Sequence, residues 1–514
     1  MKTRRRPRAR RLVALAAAAA VSGTACSGGS GTPAGDRSPP DRPSTGAQMT
    51  GSATVDNRPN VLMITADDAA VGDLKYMPLT RRLVADRGVT FTNAIAPDPV
   101  CVPARASLLT GQYTHNHKAY TINGEGGGYQ AFDNRKTLPI WLQAAGYDTL
   151  FVGKYLTGYC DDGRPTREPG WNEWRATMGG STYTFTRTVL NVNGRARLHT
   201  HYSTDLLSDQ TVHVLGRPRR RTKPWYMWVN YVAPHQGGVP ESDDPQMTNP
   251  SRPADWVGTT TVAPEHRDRF RHLDLPRTPD LFHGDGDGVR TAGPPFSAGR
   301  RAAAREGYQQ RLEALQSVDA AVARAVRKLR STGQLGNTVI IFASDNGFLT
   351  GQHNIFGKLW QFNDSLRIPM VMAGPGIPRG RTVRTAVTNP DIATTIAALA
   401  RAKPQREQDG INVLPYLDKG YRERVVPIEA YPVHGGTTPL YTGVRVGEWT
   451  YIRTRNGREE LFNRDVDPYE LRSLAGRQKY ADDLLRLRAL NVTYKDCAGD
   501  TCPKDFVKIP TRPR

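Results

Sequence analysis

Short, nearly continuous apolar runs punctuate the middle of this chain, and each stops at a cluster of polar residues. Val61-Leu62-Met63-Ile64-Thr65 runs into Asp67-Asp68, and Thr149-Leu150-Phe151-Val152 into Gly153-Lys154. Trp225 to Val232 leads to Ala233-Pro234-His235, and Thr338 to Ala343 leads to Ser344-Asp345-Asn346-Gly347. Bounded runs that are apolar at consecutive positions predict strands buried on both faces of a parallel sheet. Between them the period changes. Over 305–331, Leu312, Leu315, Val318, Val322, Val326 and Leu329 recur along one face with Arg and Glu elsewhere, which predicts an amphipathic helix. Thr137 to Ala145, ahead of Gly146, predicts a shorter helix ending on glycine. This alternation implies an α/β fold with a mostly parallel sheet flanked by helices. Ligands bind beyond the carboxyl ends of such strands, so all four polar clusters are expected along one edge.

The Pro-, Asp- and Gly-rich stretch 238–300 reads as a long insertion of the kind that shapes access to a site. After about Leu414 the pattern changes again. Gly443 to Arg453 alternates as a strand, Glu459 to Phe462 as another, and Asp465 to Leu471 reads as a turn entering the last helix. These shifts predict a catalytic domain over 58–414 and a small antiparallel α+β subdomain over 415–514. Before them, a basic stretch from Lys2 to Arg11 precedes an apolar run from Leu12 to Val21, the layout of an export signal. That run is too short to span a bilayer. Gly23-Thr24-Ala25-Cys26 reads as a lipoprotein site, which would lipidate Cys26 and anchor the chain to a membrane, and Arg10-Arg11 permits twin-arginine export. Residues 27–57 are rich in Gly, Ser, Pro and Thr and read as a flexible tether. The chain is thus expected outside the cytoplasm, as a cell-surface lipoprotein or a secreted protein.

Composition refines this reading. A hydrophobic content of 38% and 20 tyrosines require a folded body with a core. The net charge is +21, of which residues 1–50 contribute +7, so the remaining +14 lies on the body. Such a body suits an anionic small molecule or glycan, although an arginine-rich genome produces the same bias, and no nucleic-acid partner is expected. Of five cysteines, Cys26 belongs to the anchor, Cys497 and Cys502 are placed to pair in an oxidising compartment, and Cys160 reads as a buried thiol.

The remaining cysteine opens Cys101-Val102-Pro103-Ala104-Arg105, closely followed by Leu109-Thr110-Gly111. Pro103 can begin a helix, which would set Cys101 at an N-terminus where backbone amides favour an anion. Arg105 would lie close by. Asp67, Asp68, Asp345 and Asn346 offer hard oxygen ligands suited to Ca²⁺, with Mg²⁺ as the alternative. Lys154 and Lys358 can neutralise an oxyanion, and His235 can contact it or protonate a leaving alcohol. His115, His117 and His353 read as loop or packing histidines.

The pentapeptide resembles the C-x-P-x-R signature of type I sulfatases, in which the cysteine is oxidised to formylglycine (3-oxoalanine) before folding. Pro59 to Gly72, Ser344 to Gly347 with Gly351-Gln352-His353, Arg367-Ile368-Pro369 and Gly374-Pro375-Gly376 are similar to the family's other segments. Gly153-Lys154-Tyr155-Leu156, His115-Asn116-His117, Ala263 to Arg277 and Gln316 to Asp319 look most like N-acetylglucosamine-6-sulfatases and heparan sulfate 6-O-endosulfatases. The resemblance implies an alkaline-phosphatase-like fold and a divalent cation held by Asp67, Asp68, residue 101, Asp345 and Asn346. It also implies a formylglycine-generating enzyme as maturation partner. Catalysis would fall to residue 101, Arg105, Lys154, His235 and Lys358. One hydroxyl of the hydrated aldehyde would attack sulfur, and the second would then expel sulfate. Two positions depart from the common pattern. Ala104 replaces a serine of the signature, and Leu156 stands where many arylsulfatases carry a histidine. Three alternatives remain: an arylsulfatase, a phosphonate or phosphomonoester hydrolase of the alkaline phosphatase superfamily, and a non-catalytic glycan-binding lipoprotein.

Overall fold

A computed structural model describes residues 56–217, 223–245, 257–282 and 295–506. The export signal, Cys26, nearly all of the tether and parts of the 238–300 insertion lie outside the described residues. Eight strands come first: β1 (Asn60–Ala66), β2 (Val89–Ile95), β3 (Asp148–Gly153), β4 (Glu173–Thr177), β5 (Thr188–Val192), β6 (Arg195–His199), β7 (Trp225–Tyr231) and β8 (Thr338–Ser344). A small hairpin, β9 (Leu349–Thr350) with β10 (Phe356–Gly357), precedes β11 (Arg367–Ala373), β12 (Arg381–Val383) and β13 (Val387–Thr388). Leaving out that hairpin, these form one eleven-stranded sheet in the order β12-β2-β11-β8-β1-β7-β3-β4-β5-β6, with β13 also on β2.

The four apolar runs are its centre. β8, β1, β7 and β3 lie side by side and parallel, so all four carboxyl ends emerge on one edge. Antiparallel pairs occur only outside this centre, at β8–β11, β11–β2, β4–β5 and β5–β6. Successive side chains on a strand face opposite sides, and this alternation divides the core in two. Val61, Met63, Phe151, Trp228, Val339 and Ile341 pack beneath the helices Cys101–Thr110, Leu138–Ala144 and Asn389–Leu399. Leu62, Ile64, Val152, Val229, Ile340 and Phe342 pack beneath Ser203–Leu215 and the long helix Ala298–Ser331. Among the described residues no helix is long and apolar enough to cross a membrane.

The long helix differs from its amphipathic reading. It begins at Ala298, and its centre is covered on every side: Gln309, Gln310, Arg311, Glu313, Gln316, Ser317 and Asp319 are all buried. Neighbouring segments supply the cover and satisfy those groups. The Phe270 amide donates to Glu313 (2.8 Å), and the Leu79 and Thr80 amides donate to Asp319 (2.9 and 2.6 Å).

The C-terminal part holds an antiparallel sheet of β14 (Val425–Ala430), β15 (Tyr441–Val446), β16 (Trp449–Thr454) and β17 (Glu459–Asn463). One face packs on the helix Ala481–Tyr494 through Val444, Tyr451, Leu461 and Leu487, and the other on Ile95 and Leu366 of the main body. The stretch Gly443–Arg453, expected to be one strand, is a tight hairpin. Gly447 adopts φ +55°, and the chain reverses between Val446 and Trp449. Cys497 and Cys502 form a disulfide, and Cys160 is a buried free thiol.

Candidate active site

The strand ends converge. β1 delivers Asp67 and Asp68, consecutive residues that would point apart in an extended strand. Asp68 takes a left-handed conformation (φ 68°), which re-aims the chain, so that both carboxylates lie near the Cys101 thiol. Sγ is 3.3 Å from Asp67 Oδ1 and 4.0 Å from Asp68 Oδ1. Cys101 is the first residue of its helix, two positions earlier than Pro103 alone would indicate, and Arg105 follows one turn later. Arg105 Nε donates to Asp345 Oδ2 (2.8 Å), Nη1 to the Lys154 carbonyl and to Asn230 Oδ1 (3.0 Å each), and Nη2 lies 3.7 Å from Asp67. The guanidinium is therefore a hub joining four strand ends.

β3 ends at Gly153, whose φ of 111° and approach to Asn230 exclude a side chain: a Cβ there would stand 1.9 Å from the Asn230 carbonyl oxygen. The turn carries Lys154 into contact with Asp67. Lys358, directly after β10, pairs with Asp68 and donates to Cys101 Sγ at 2.7 Å. His235 follows β7, with Nε2 3.7 Å from Asp68 Oδ2 and Nδ1 donating to the Gln236 carbonyl at 2.7 Å. From β8, Asp345 Oδ1 accepts the Asp68 and Asn346 amides (3.1 and 2.9 Å), and Asn346 Nδ2 donates to Asp68 Oδ1 (2.8 Å). Every residue expected at the site, from Asp67 to Lys358, is in this one cluster.

The charges compensate one another in a buried pocket. Burial opposes ionisation of Asp67, but Lys154, His235, Arg105 and Lys358 outweigh it and hold the carboxyl well below its usual range. Asp68 is lowered in the same way, chiefly by Lys358. Asp345 goes the other way, to about 6, through burial and the nearby Asp67 charge. Burial pushes the Cys101 thiol up to about 12 despite Lys154 and Lys358. Burial also holds His235 down at about 4, against the pull of Asp68 and Asp67, so the ring is neutral at pH 7.

The donor set fits a hard divalent cation. Oxygens of Asp67, Asp68 and Asp345 lie within 4.8 Å of one another, as do donor atoms of Asp67, Cys101 and His235. Asn346 Oδ1 is buried with no hydrogen-bond partner. An orphaned amide oxygen beside three carboxylates is a ligand set for Ca²⁺ or Mg²⁺.

Several residues of the cluster carried no recognisable signal. Asn230 is polar inside the apolar β7 run and accepts from Arg105 and Thr65. Tyr183 stacks on His235 (centroids 4.6 Å apart) and lies under the Lys154 ammonium (4.9 Å). Arg311 donates to the Asp68 carbonyl and to the Pro234 carbonyl (3.3 Å), clamping two of the loops from the helix side. Leu156 lines a cavity beside Lys154 and Tyr183. His117 is buried against Ser107 Oγ (3.2 Å), and His353 stacks on Phe362 (3.6 Å).

A parallel-centred sheet flanked by helices, with Cys101 first on a helix beside an acidic cluster at the carboxyl edge, defines an alkaline-phosphatase-like fold. The chain belongs to the sulfatase family, whose model matches residues 59–402. A second model, N-sulphoglucosamine sulphohydrolase, C-terminal, matches residues 351–492. The N-acetylglucosamine-6-sulfatase of Capra hircus is 31% identical over 388 residues, covering 72% of this chain and 65% of that protein. The extracellular sulfatase SULF-1 homolog of Drosophila melanogaster is 31% identical over 377 residues, 70% of this chain and 31% of its own length. The match thus spans from under a third to just under two thirds of these relatives. A solved structure in complex with its substrate D-glucosamine-2-N,6-O-disulfate has the same fold at 20% identity, with a TM-score of 0.69 over 85% of this chain and 97% of that one. The phosphonate monoester hydrolase of Silicibacter pomeroyi shares the fold at 19% identity, with a TM-score of 0.60 over 85% and 94% of the two chains.

Proposed function

We propose that the protein is an exported sulfatase that hydrolyses sulfate esters of sugars such as glucosamine-6-sulfate, using formylglycine at position 101 and a divalent cation, Ca²⁺ before Mg²⁺. The observation that carries this reading is the position of Cys101, first on its helix and in contact with Asp67, Asp68 and Lys358. An unmodified thiol held at about 12 stays protonated at neutral pH and is a poor nucleophile, which favours conversion of the residue. The converted residue supplies a hydroxyl that attacks sulfur and a second that expels sulfate. Asp67, Asp68, Asp345 and Asn346 would hold the cation, which lowers the pKa of a hydroxyl and offsets the charge of the ester.

The chain's own groups complete the site. Arg105 fixes Asp67, Asp345 and Asn230 in one arrangement. Lys154 and Lys358 place two ammonium groups where sulfate oxygens carry negative charge. Neutral His235 presents Nε2 to the pocket, because Nδ1 is committed to the Gln236 carbonyl. An entering sulfate group would favour protonation of that nitrogen and prepare it to donate to the departing alcohol. Similarity to N-acetylglucosamine-6-sulfatases supports the choice of sugar. The N-terminal signal and Cys26 support export as a lipid-anchored surface protein.

Mass spectrometry of the peptide containing residue 101, on protein made with a formylglycine-generating enzyme, tests the reading at its base. The expected mass is that of formylglycine. Active protein carrying only cysteine would contradict it.

A further inference from the structure

Behind the loop that carries Asn346 lies a second polar cavity of about 280 Å³, lined by Thr92, Asn93, Asn363, Arg367, Arg384, Tyr421, Arg445, Glu448, Arg464 and Pro468. It shares no residue with the cluster around Cys101. Four arginines line it, from three parts of the chain: Arg367 opens β11, Arg384 precedes β13, and Arg445 and Arg464 belong to the C-terminal sheet and its following turn.

Arg445 is the informative member. Its residue is 2% exposed, and one donor, Nη2, is used on Asn363 Oδ1 at 2.8 Å. Its Nε and Nη1 are buried and have no hydrogen-bond partner. A buried guanidinium is unfavourable unless an anion or a full set of acceptors meets it. Among the described residues no carboxylate stands within ion-pair distance of Arg445, and Glu470, Glu448 and Asp364 act on its charge only from farther away. Glu448 and Glu470 are engaged by Arg464, at 3.4 and 3.8 Å, and Glu470 also accepts the Asn363 amide at 2.7 Å. Arg367 donates to the Thr92 carbonyl at 2.6 Å and brings a further positive charge to the same cavity. Arg384 is exposed at its rim, its guanidinium 5.5 Å from the centre of the Tyr421 ring, with no carboxylate in ion-pair range among the described residues.

We infer that this cavity is a second binding site for a tetrahedral oxyanion, received by the incompletely partnered guanidinium of Arg445 and flanked by Arg367, Arg384 and Arg464. A guanidinium offers parallel N–H donors that match two oxygens of a sulfate or phosphate. The cavity holds such a group together with several waters, at about 30 Å³ per water. The site lies one layer behind the Asn346 loop. Gly347 packs so closely on the Asp364 and Arg367 carbonyl oxygens that a Cβ there would approach them to 2.3 and 2.5 Å. The same short segment thus carries Asn363 and Arg367 on the anion side and supports Asn346 on the other. The chemistry is shared by free sulfate or phosphate and by a sulfate group on a longer glycan.

Calorimetric titration of the full chain separates these sources. Wild type, Arg384→Gln and Arg445→Met are each titrated at constant ionic strength with sodium sulfate, with sodium phosphate and with a multiply sulfated heparin-derived oligosaccharide. Arg384 is exposed, so its variant tests the site even if Arg445→Met fails to fold. The expected result is one anion-binding event weakened at least tenfold in the variants, with turnover of a small sulfate ester retained in Arg384→Gln. Loss with the inorganic ions identifies a free oxyanion, and loss with the oligosaccharide alone identifies a glycan sulfate. Isotherms unchanged for every ligand in Arg384→Gln and in any folded Arg445→Met would overturn the inference.

Discussion

His115 has an acceptor on each ring nitrogen: Glu429 Oε1 at 2.9 Å from Nδ1 and the Cys497 carbonyl at 2.8 Å from Nε2. Only the imidazolium donates from both positions. Burial opposes the charge, but Glu429 and the carbonyl prevail and raise the pKa from 6.5 to about 9. A raised folded pKa contributes stability that is complete below pH 6.5 and is lost as pH rises through 9. Chemical denaturation should therefore show His115→Gln less stable than wild type by about 2 kcal/mol at pH 6, with the gap largely closed by pH 9.5. An equal gap at both pH values would refute the charged pairing. At this scale the sequence revealed chemistry where a residue type was out of place. Cys101 before Pro103 and Arg105, paired aspartates after an apolar run, and lysines at strand ends were all of that kind. Asn230 and Arg311 were hidden because a polar group inside a strand, or on a helix covered from all sides, has no sequence pattern distinguishing it from its neighbours, and Tyr183 lies in the turn between β4 and β5, where no periodicity applies.

The elements carry these residues with different degrees of legibility. The central strands were readable because burial on both faces makes them continuously apolar. The flanking strands β4, β5, β6 and β12 were not, since polar residues interrupt their short apolar runs. The Val446–Trp449 hairpin is marked only by a change of phase, from apolar even positions (Val444, Val446) to apolar odd ones (Trp449, Tyr451) across Gly447-Glu448. Attachment between elements rests on specific pairs. Arg424, just before β14, meets Asp391 near the start of the helix Asn389–Leu399, with Nη2 3.1 Å from Oδ1 and both side chains fully buried. Asp391 also accepts the Thr388 and Ile411 amides, at 2.7 Å each. Removing one partner of such a pair leaves a buried, uncompensated charge and costs about 3–5 kcal/mol. Arg424→Met should lower the denaturation midpoint accordingly, whereas a change below about 1 kcal/mol would show that the pair does not anchor the C-terminal sheet.

Across the whole molecule, the parallel order β8-β1-β7-β3 is what turns separate sequence signals into a site. Strands far apart in the chain deliver carboxylates, Lys154 and His235 to one edge, and the β9–β10 hairpin adds Lys358. Arg105 ties the four ends together, and Arg311 holds two loops from behind. Because carboxylate and amide oxygens of Asp67, Asp68, Asp345 and Asn346 dominate the acidic cradle, a hard cation is the expected occupant. Prolonged chelation followed by desalting should reduce turnover at least tenfold, and Ca²⁺ should restore it. Activity indifferent to chelation would remove the cation from the account. The central claim is that residue 101, in its converted form, performs sulfate ester hydrolysis. The most direct measurement is sulfate release from glucosamine-6-sulfate by matured wild type and by Cys101→Ala, with circular dichroism confirming the fold of both. Sulfate release by the wild type and none above background by the folded variant is the predicted result; equal release by the two would contradict it.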